Sequence, residues 1–181
     1  EETKLYLPEV YETPSFMLDD NISATDKGIV HHLILKHINI NNPDPQQCIN
    51  MLIEKELLSE KEAQVVDIEA INCFFKEEMG DRLKKAENVY RELSFGIDIN
   101  VSELFEGFSL KDEKVMLQGI IDLIFVENDN LILLDYKTDR FFDKNKREMY
   151  KLQLDLYEKA AEKILDKKVT EKYLYMLSKK E

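Results

Sequence analysis

Apolar positions change their period along this chain, and the change divides it in two. From Ser23 and Thr25, residue types that cap helices well, Val30, Leu33, Ile34, His37 and Ile38 follow the i, i+3, i+4, i+7, i+8 spacing of one helix face. That spacing predicts a helix over about 26–38, with His32 off the apolar stripe. Asn41-Asn42-Pro43-Asp44-Pro45 then breaks the chain before a second helical stretch over about 46–57. Ser59 with Glu62 three residues on is a capping-box pattern. It predicts a long helix with Val66, Ala70 and Phe74 on one face, ending near Gly80, and a short helical piece follows at 82–86. The period then falls to two. Residues 89–97 alternate as a strand, with Val89, Arg91, Leu93 and Phe95 on one side and Tyr90, Glu92 and Ser94 on the other. The β-branched and aliphatic runs 115–126 and 131–137 are joined by Glu127-Asn128-Asp129-Asn130, whose composition suits a tight hairpin. Helical spacing returns over 143–165, through Met149, Leu152, Leu156 and Ala160 and through Tyr150, Leu154, Tyr157, Ala161 and Ile164; a last strand covers 169–177. Residues 1–22, with Pro8, Pro14 and a polar close at Leu18-Asp19-Asp20-Asn21, read as a leader or linker. The expectation is one α+β domain over 23–181, helices leading into a small sheet.

Composition narrows the chemistry. The 181 residues suffice for one domain with a real core, and no run of about 18 apolar residues exists, so a soluble protein is expected and no membrane partner. Lys and Arg number 25 against 37 Asp and Glu, a net charge of −12. Residues 141–181 hold 11 basic and 8 acidic side chains, so +3 sits there and −15 upstream. Bulk charge therefore does not grip nucleic acid, and a polyanionic substrate would need local cations. Cys48 and Cys73 are too few for an all-cysteine iron–sulfur cluster or a four-cysteine zinc site, and are expected as buried free thiols. The chain opens on Glu1 without a signal-peptide pattern, which suggests a piece of a longer cytoplasmic protein.

The hairpin carries the sharpest signal. If it is centred on Asn128-Asp129, Asp122 faces Asp135, and a four-residue loop at 127–130 gives the same pairing. Like charges directly opposed across two strands are destabilising, so the pair calls for a reason. Asp135 and Lys137, two apart, share a strand face, and Tyr136 points the other way. Hard cations such as Mg²⁺ or Mn²⁺ take carboxylate oxygens, and a neighbouring lysine orients water or neutralises charge growing on phosphorus. The plainer reading is a salt-bridged pair at a sheet edge. Lys144, Lys146, Arg147 and Lys151 likewise read either as phosphate contacts or as a solvated helix start.

Five motifs in one order then carry a resemblance: Gly28-Ile29-Val30-His31-His32, Tyr90-Arg91-Glu92-Leu93-Ser94-Phe95, Gly119-Ile120-Ile121-Asp122, Leu134-Asp135-Tyr136-Lys137-Thr138-Asp139-Arg140 and Gln153-Leu154-Asp155-Leu156-Tyr157. From about Thr25 onward the chain resembles the RecB-type branch of the PD-(D/E)XK nucleases, and within it the nuclease domains of bacterial AddAB-type helicase-nucleases. The resemblance implies a restriction-endonuclease-like core, a small mixed sheet flanked by helices with a helical N-terminal half. It implies that His32, Asp122 and Asp135 bind Mg²⁺, with Mn²⁺ as a substitute and no iron–sulfur cluster, and that Lys137 assists the chemistry. Gln153 and Tyr157 would form the following helix's motif, facing the site or the DNA strand. His32 rather than His31 is chosen by its spacing from Gly28, although Ile29 and Val30 stand where small residues are expected. Glu92 is left open between a water-mediated metal contact and an ion pair with Arg91 or Lys137. The implied activity is Mg²⁺-dependent hydrolysis of single-stranded DNA fed by helicase domains of the same polypeptide, with AddB as partner subunit, during repair of broken ends. The alternatives are an inactive nuclease-like module that guides DNA or forms a subunit interface, and a stand-alone RecB-like nuclease, whose cluster-bearing relatives carry several cysteines.

Overall fold

The computed structural model describes residues 24–100, 113–138 and 143–177; the leader assigned to 1–22 lies outside them. Four strands, β1 (Asn88–Asn100), β2 (Lys114–Glu127), β3 (Asn130–Lys137) and β4 (Val169–Met176), form one mixed sheet in that order. The first two pairings are antiparallel and β3–β4 is parallel. Among the described residues five helices precede the sheet: α1 (Ala24–His37), α2 (Pro45–Glu54), α3 (Glu60–Ala63), α4 (Ile68–Lys76) and α5 (Glu78–Lys85). A sixth, α6 (Lys144–Leu165), makes the crossover that a parallel pair requires. This is the α+β architecture expected.

Both sheet faces are covered, which is why β2 and β3 read as continuous apolar runs. On one face Leu123, Phe125, Ile132, Leu134 and Tyr136 pack against Val30 and Ile34 of α1, Ile38 just past its end, Leu52 of α2, Phe74 of α4 and Leu83 of α5. On the other, Ile124, Val126, Leu131 and Leu133 pack against Ala160 and Ala161 of α6. Asn128 and Asp129 hold φ of 50° and 64°, the left-handed pair of a two-residue hairpin turn. The ladder runs from Glu127↔Asn130 to Leu123↔Leu134 in the register that the turn residues predict, but it stops there, so Asp122 and Asp135 are not the directly opposed pair expected.

Three expectations are corrected. The capping box of Ser59 and Glu62 forms, but it opens only the four-residue α3. The chain turns, and Asp67 caps a new helix, its side chain accepting from the Ala70 N–H at 3.0 Å. Gly80 does not end a helix: it lies inside α5, where a Cβ would stand 2.5 Å from the Phe74 carbonyl oxygen, so the glycine permits the close approach of α5 to α4. Cys48 is buried as expected, whereas Cys73 is exposed on α4.

A fourth correction positions the site. Residues 89 and 91 face α1, with Val89 in the α1-side core and Arg91 donating to the Leu35 and Ile38 carbonyls, yet Leu93, Phe95, Ile97 and Ile99 lie on the α6 side. The sides of β1 therefore exchange at Glu92, whose φ is 52°. β2 exchanges opposite it: Ile121 faces α6, while Leu123 and Phe125 face α1. Ladder pairs flank the spot, Arg91↔Leu123 and Leu93↔Ile121, with the register conserved. Simple alternation would have aimed Asp122 at α6 with Ile124 and Val126; the exchange turns it toward α1.

Candidate active site

α1 brings two adjacent histidines to different tasks. His31 is fully buried, its Nδ1 2.7 Å from the Lys27 carbonyl and its Nε2 2.9 Å from the Asp67 N–H. The carbonyl can only accept, so Nδ1 carries the proton and Nε2 accepts from Asp67. Burial pushes His31 below its ordinary pKa, in keeping with a neutral structural ring. His32, next on the helix, faces the strand exchange. Its Nδ1 lies 3.2 Å from Asp122 Oδ1 and 3.9 Å from Glu92 Oε1, and its Nε2 lies 3.1 Å from the Tyr136 carbonyl oxygen. Gly28, one turn earlier, lies beside the end of β3: a Cβ there would stand 3.4 Å from Thr138 Oγ1.

His31→Ala should therefore destabilise the fold by about 2–4 kcal/mol, a cavity plus an orphaned Asp67 N–H. His32→Ala should cost little stability in EDTA and should lower affinity for Mn²⁺. Urea melts and Mn²⁺ titrations of the two variants check this; equal destabilisation by both would contradict it.

The carboxylates gather where β2 and β3 part. Asp122 Oδ2 accepts the Tyr136 N–H at 2.8 Å, in place of a further ladder bond, and the side chain is 10% exposed. Asp135, on the α6 side with Leu131 and Leu133, is almost wholly buried. Its Oδ2 lies 2.6 Å from Lys137 Nζ but out of hydrogen-bond alignment, so that oxygen has no aligned donor. Burial first, and the Asp122 charge second, push its pKa up to about 6 against the pull of Lys137. Burial and Asp122 likewise raise Glu92. For His32 burial acts downward, but Asp122 and then Glu92 outweigh it and the pKa is raised.

The opposite wall is α6. Asp143 caps it, accepting from the Lys146 N–H at 2.7 Å. Lys137 Nζ sits 4.7 Å from the centre of the Tyr150 ring. Gln153 Nε2 donates to Tyr157 Oη at 2.8 Å, and the Tyr157 ring meets Phe95 edge to face. Burial, then the charge of Asp135, raises the Tyr157 phenol.

The sequence-derived residues thus fall into two groups joined through Asp122. His32, Glu92 and Asp122 bring ligand atoms within 4.8 Å of one another, with Asp135 outside that group and turned to Lys137. Two residues escaped assignment from the sequence: Glu92, aimed by a left-handed backbone at a non-glycine residue, and Tyr150, which lies one turn before Gln153. The donor set suits a hard divalent cation. With Nε2 facing a carbonyl, His32 Nδ1 presents a lone pair to two carboxylates, an arrangement that calls for a proton or a cation between them. The unaligned Oδ2 of Asp135 supplies a further buried acceptor.

Comparison with known proteins identifies the family. A family model described as the PD-(D/E)XK nuclease superfamily matches residues 3–181. The chain is 39% identical over 181 residues to the ATP-dependent helicase/nuclease A-subunit of Clostridium kluyveri, covering 95% of this chain and 15% of that protein. It is 36% identical over 183 residues to the protein of the same name from Clostridium novyi, with 95% and 15% covered. The corresponding protein of Thermoanaerobacter sp. (strain X514) is 36% identical over 185 residues, with 96% and 15% covered. The chain spans about 15% of the length of these curated relatives. With a match over nearly its whole length and a histidine–carboxylate–lysine cluster on a mixed sheet, the chain belongs to the PD-(D/E)XK nuclease superfamily.

Proposed function

We propose that the chain is a metal-dependent deoxyribonuclease domain, hydrolysing phosphodiester bonds of single-stranded DNA at the point where β2 and β3 diverge. The observation that carries the reading is the convergence of His32, Glu92, Asp122, Asp135 and Lys137 there, with Asp135 held buried and short of aligned donors. His32, Asp122 and Asp135 would hold Mg²⁺, with Mn²⁺ as substitute, and Glu92 stands near enough to share that shell directly or through water. When bound, such a cation supplies charge stabilisation at phosphorus and lowers the pKa of water. Lys137 holds the attacking water and offsets charge developing on the non-bridging phosphate oxygens. The water oxygen forms a bond to phosphorus and gives up one proton to solvent, the ester P–O bond breaks, and the leaving alkoxide takes a proton from solvent. Tyr150 fixes the lysine, and the Gln153–Tyr157 pair lines the wall along which the strand lies.

The names of the relatives support a larger setting: a domain over 23–181 in a helicase-nuclease, receiving single strands from helicase domains of the same polypeptide. AddB would be the partner subunit, and broken DNA ends in the cytoplasm the substrate. Among the described residues no helix is long and apolar enough to cross a membrane. Incubating the chain with end-labelled single-stranded DNA tests the activity. Degradation is expected with Mg²⁺ or Mn²⁺ and none in EDTA; intact DNA under every metal condition would favour the inactive guiding module.

A further inference from the structure

Cations on this acidic chain are mostly engaged around the far end of α6. Lys163 donates to the Asp98 carbonyl, Lys167 pairs with Asp129, Lys168 with Glu162, and Lys172 with both Asp155 and Glu158. The near end differs. Lys144, Arg147 and Lys151 are exposed and make no ion pair among the described residues, although Glu148 stands on the adjoining turns. At 100° per residue these three positions fall within about 60° of arc, a line about 10 Å long on the helix surface. The line borders the ridge Tyr150–Gln153–Tyr157, whose first member lies under Lys137. On the other flank of that ridge Met149 and Leu152 are 66% and 50% exposed.

We propose that the Lys144–Arg147–Lys151 line is the track that holds the backbone phosphates of the DNA strand next to the phosphate being cleaved. The inference rests on the nuclease reading and adds the surface that the substrate occupies. A chain of net charge −12 repels a polyanion at long range, so binding falls to those cations that no carboxylate neutralises. The line, about 10 Å long, is long enough to meet more than one phosphate of an extended strand. Its position beside the ridge sets the strand against the carboxylates. The apolar flank would suit a protein partner, but it offers no charge complementarity, whereas three cations in a row, without ion pairs among the described residues, match a phosphate backbone.

Fluorescence anisotropy of a labelled oligothymidylate in EDTA, across a range of NaCl concentrations, tests the track without requiring turnover. The triple variant Lys144→Ala/Arg147→Ala/Lys151→Ala should bind at least about tenfold more weakly and lose about 2 from the salt slope, near 0.7 for each lost single-strand contact. The control triple Lys55→Ala/Lys76→Ala/Lys85→Ala, exposed cations just past α2 and on α4 and α5, should keep the wild-type slope. Equal losses in both triples would mean bulk charge alone, and an unchanged slope or no binding by wild type would equally overturn the track. If Met149→Ser/Leu152→Ser changes the association state while the α6 triple leaves the slope intact, this end of α6 docks on protein and the proposal falls. Hydrolysis of a small chromogenic phosphodiester in Mn²⁺ reports on the nuclease reading separately. The α6 triple should leave it unchanged, and its absence in wild type would count against that reading rather than the track.

Discussion

Lys137→Ala should leave divalent-metal binding near wild type and slow strand cleavage by about 10²–10⁴-fold. Its Nζ stands 2.6 Å from Asp135 and over the Tyr150 ring, so it is held in place rather than swinging in solvent. Removing it takes away a cation but no metal-binding atom; Asp135 becomes, if anything, more available to a divalent ion. Asp135→Ala removes a ligand, so metal affinity and cleavage should vanish together. Isothermal titration with Mn²⁺ beside single-turnover cleavage separates the two variants. Loss of metal binding in Lys137→Ala, or wild-type cleavage by either, would reject these roles.

Asp135→Asn is expected to be more stable than wild type in EDTA above neutral pH, by roughly 1–3 kcal/mol. The sign follows from proton linkage. The carboxyl titrates at about 6 in the fold against 3.8 as the ordinary value, so the folded state holds the proton more tightly. Its contribution is full below pH 3.8 and is lost as pH rises through about 6, a shift of some two pKa units at ~1.4 kcal/mol each. The amide keeps the shape and removes the charge that Asp122 opposes. Urea melts in EDTA at pH 5 and pH 8 should therefore show wild type losing the part of this increment still present at pH 5, about half of it, and the variant not. Parallel pH profiles would mean that Asp135 is already satisfied as an anion.

How much of this was legible in the sequence depended on whether the cause was local. The hairpin register followed from Asn128-Asp129 as far as Leu123↔Leu134, because a two-residue turn fixes the pairings behind it; the expected Asp122–Asp135 pair did not follow, since the strands part there. The start of α6 was legible in the same way, since Asp143 caps from an adjacent position. The break after α3 was not: the Asp67 N–H is taken by His31, 36 residues earlier, and no window around Ser59 contains that partner. The exchange of sheet sides at Glu92 and Asp122 was hidden for a related reason. A left-handed glutamate carries no glycine to mark it, and two strands must change together for the ladder to survive. The residue types at the site were therefore readable, while their convergence on His32 needed the three-dimensional path of β1 and β2.

Melting of wild type and Asp135→Asn, with and without saturating Mn²⁺, tests most directly whether these side chains share a cation. An ion that binds only the folded chain adds about 2.7 kcal/mol at 100 times its Kd. Wild type should rise by several degrees and the variant, despite its higher starting point in EDTA, should gain little. Equal rises in both proteins would show that Asp135 holds no part of the cation, and would contradict the metal site on which the proposed chemistry depends.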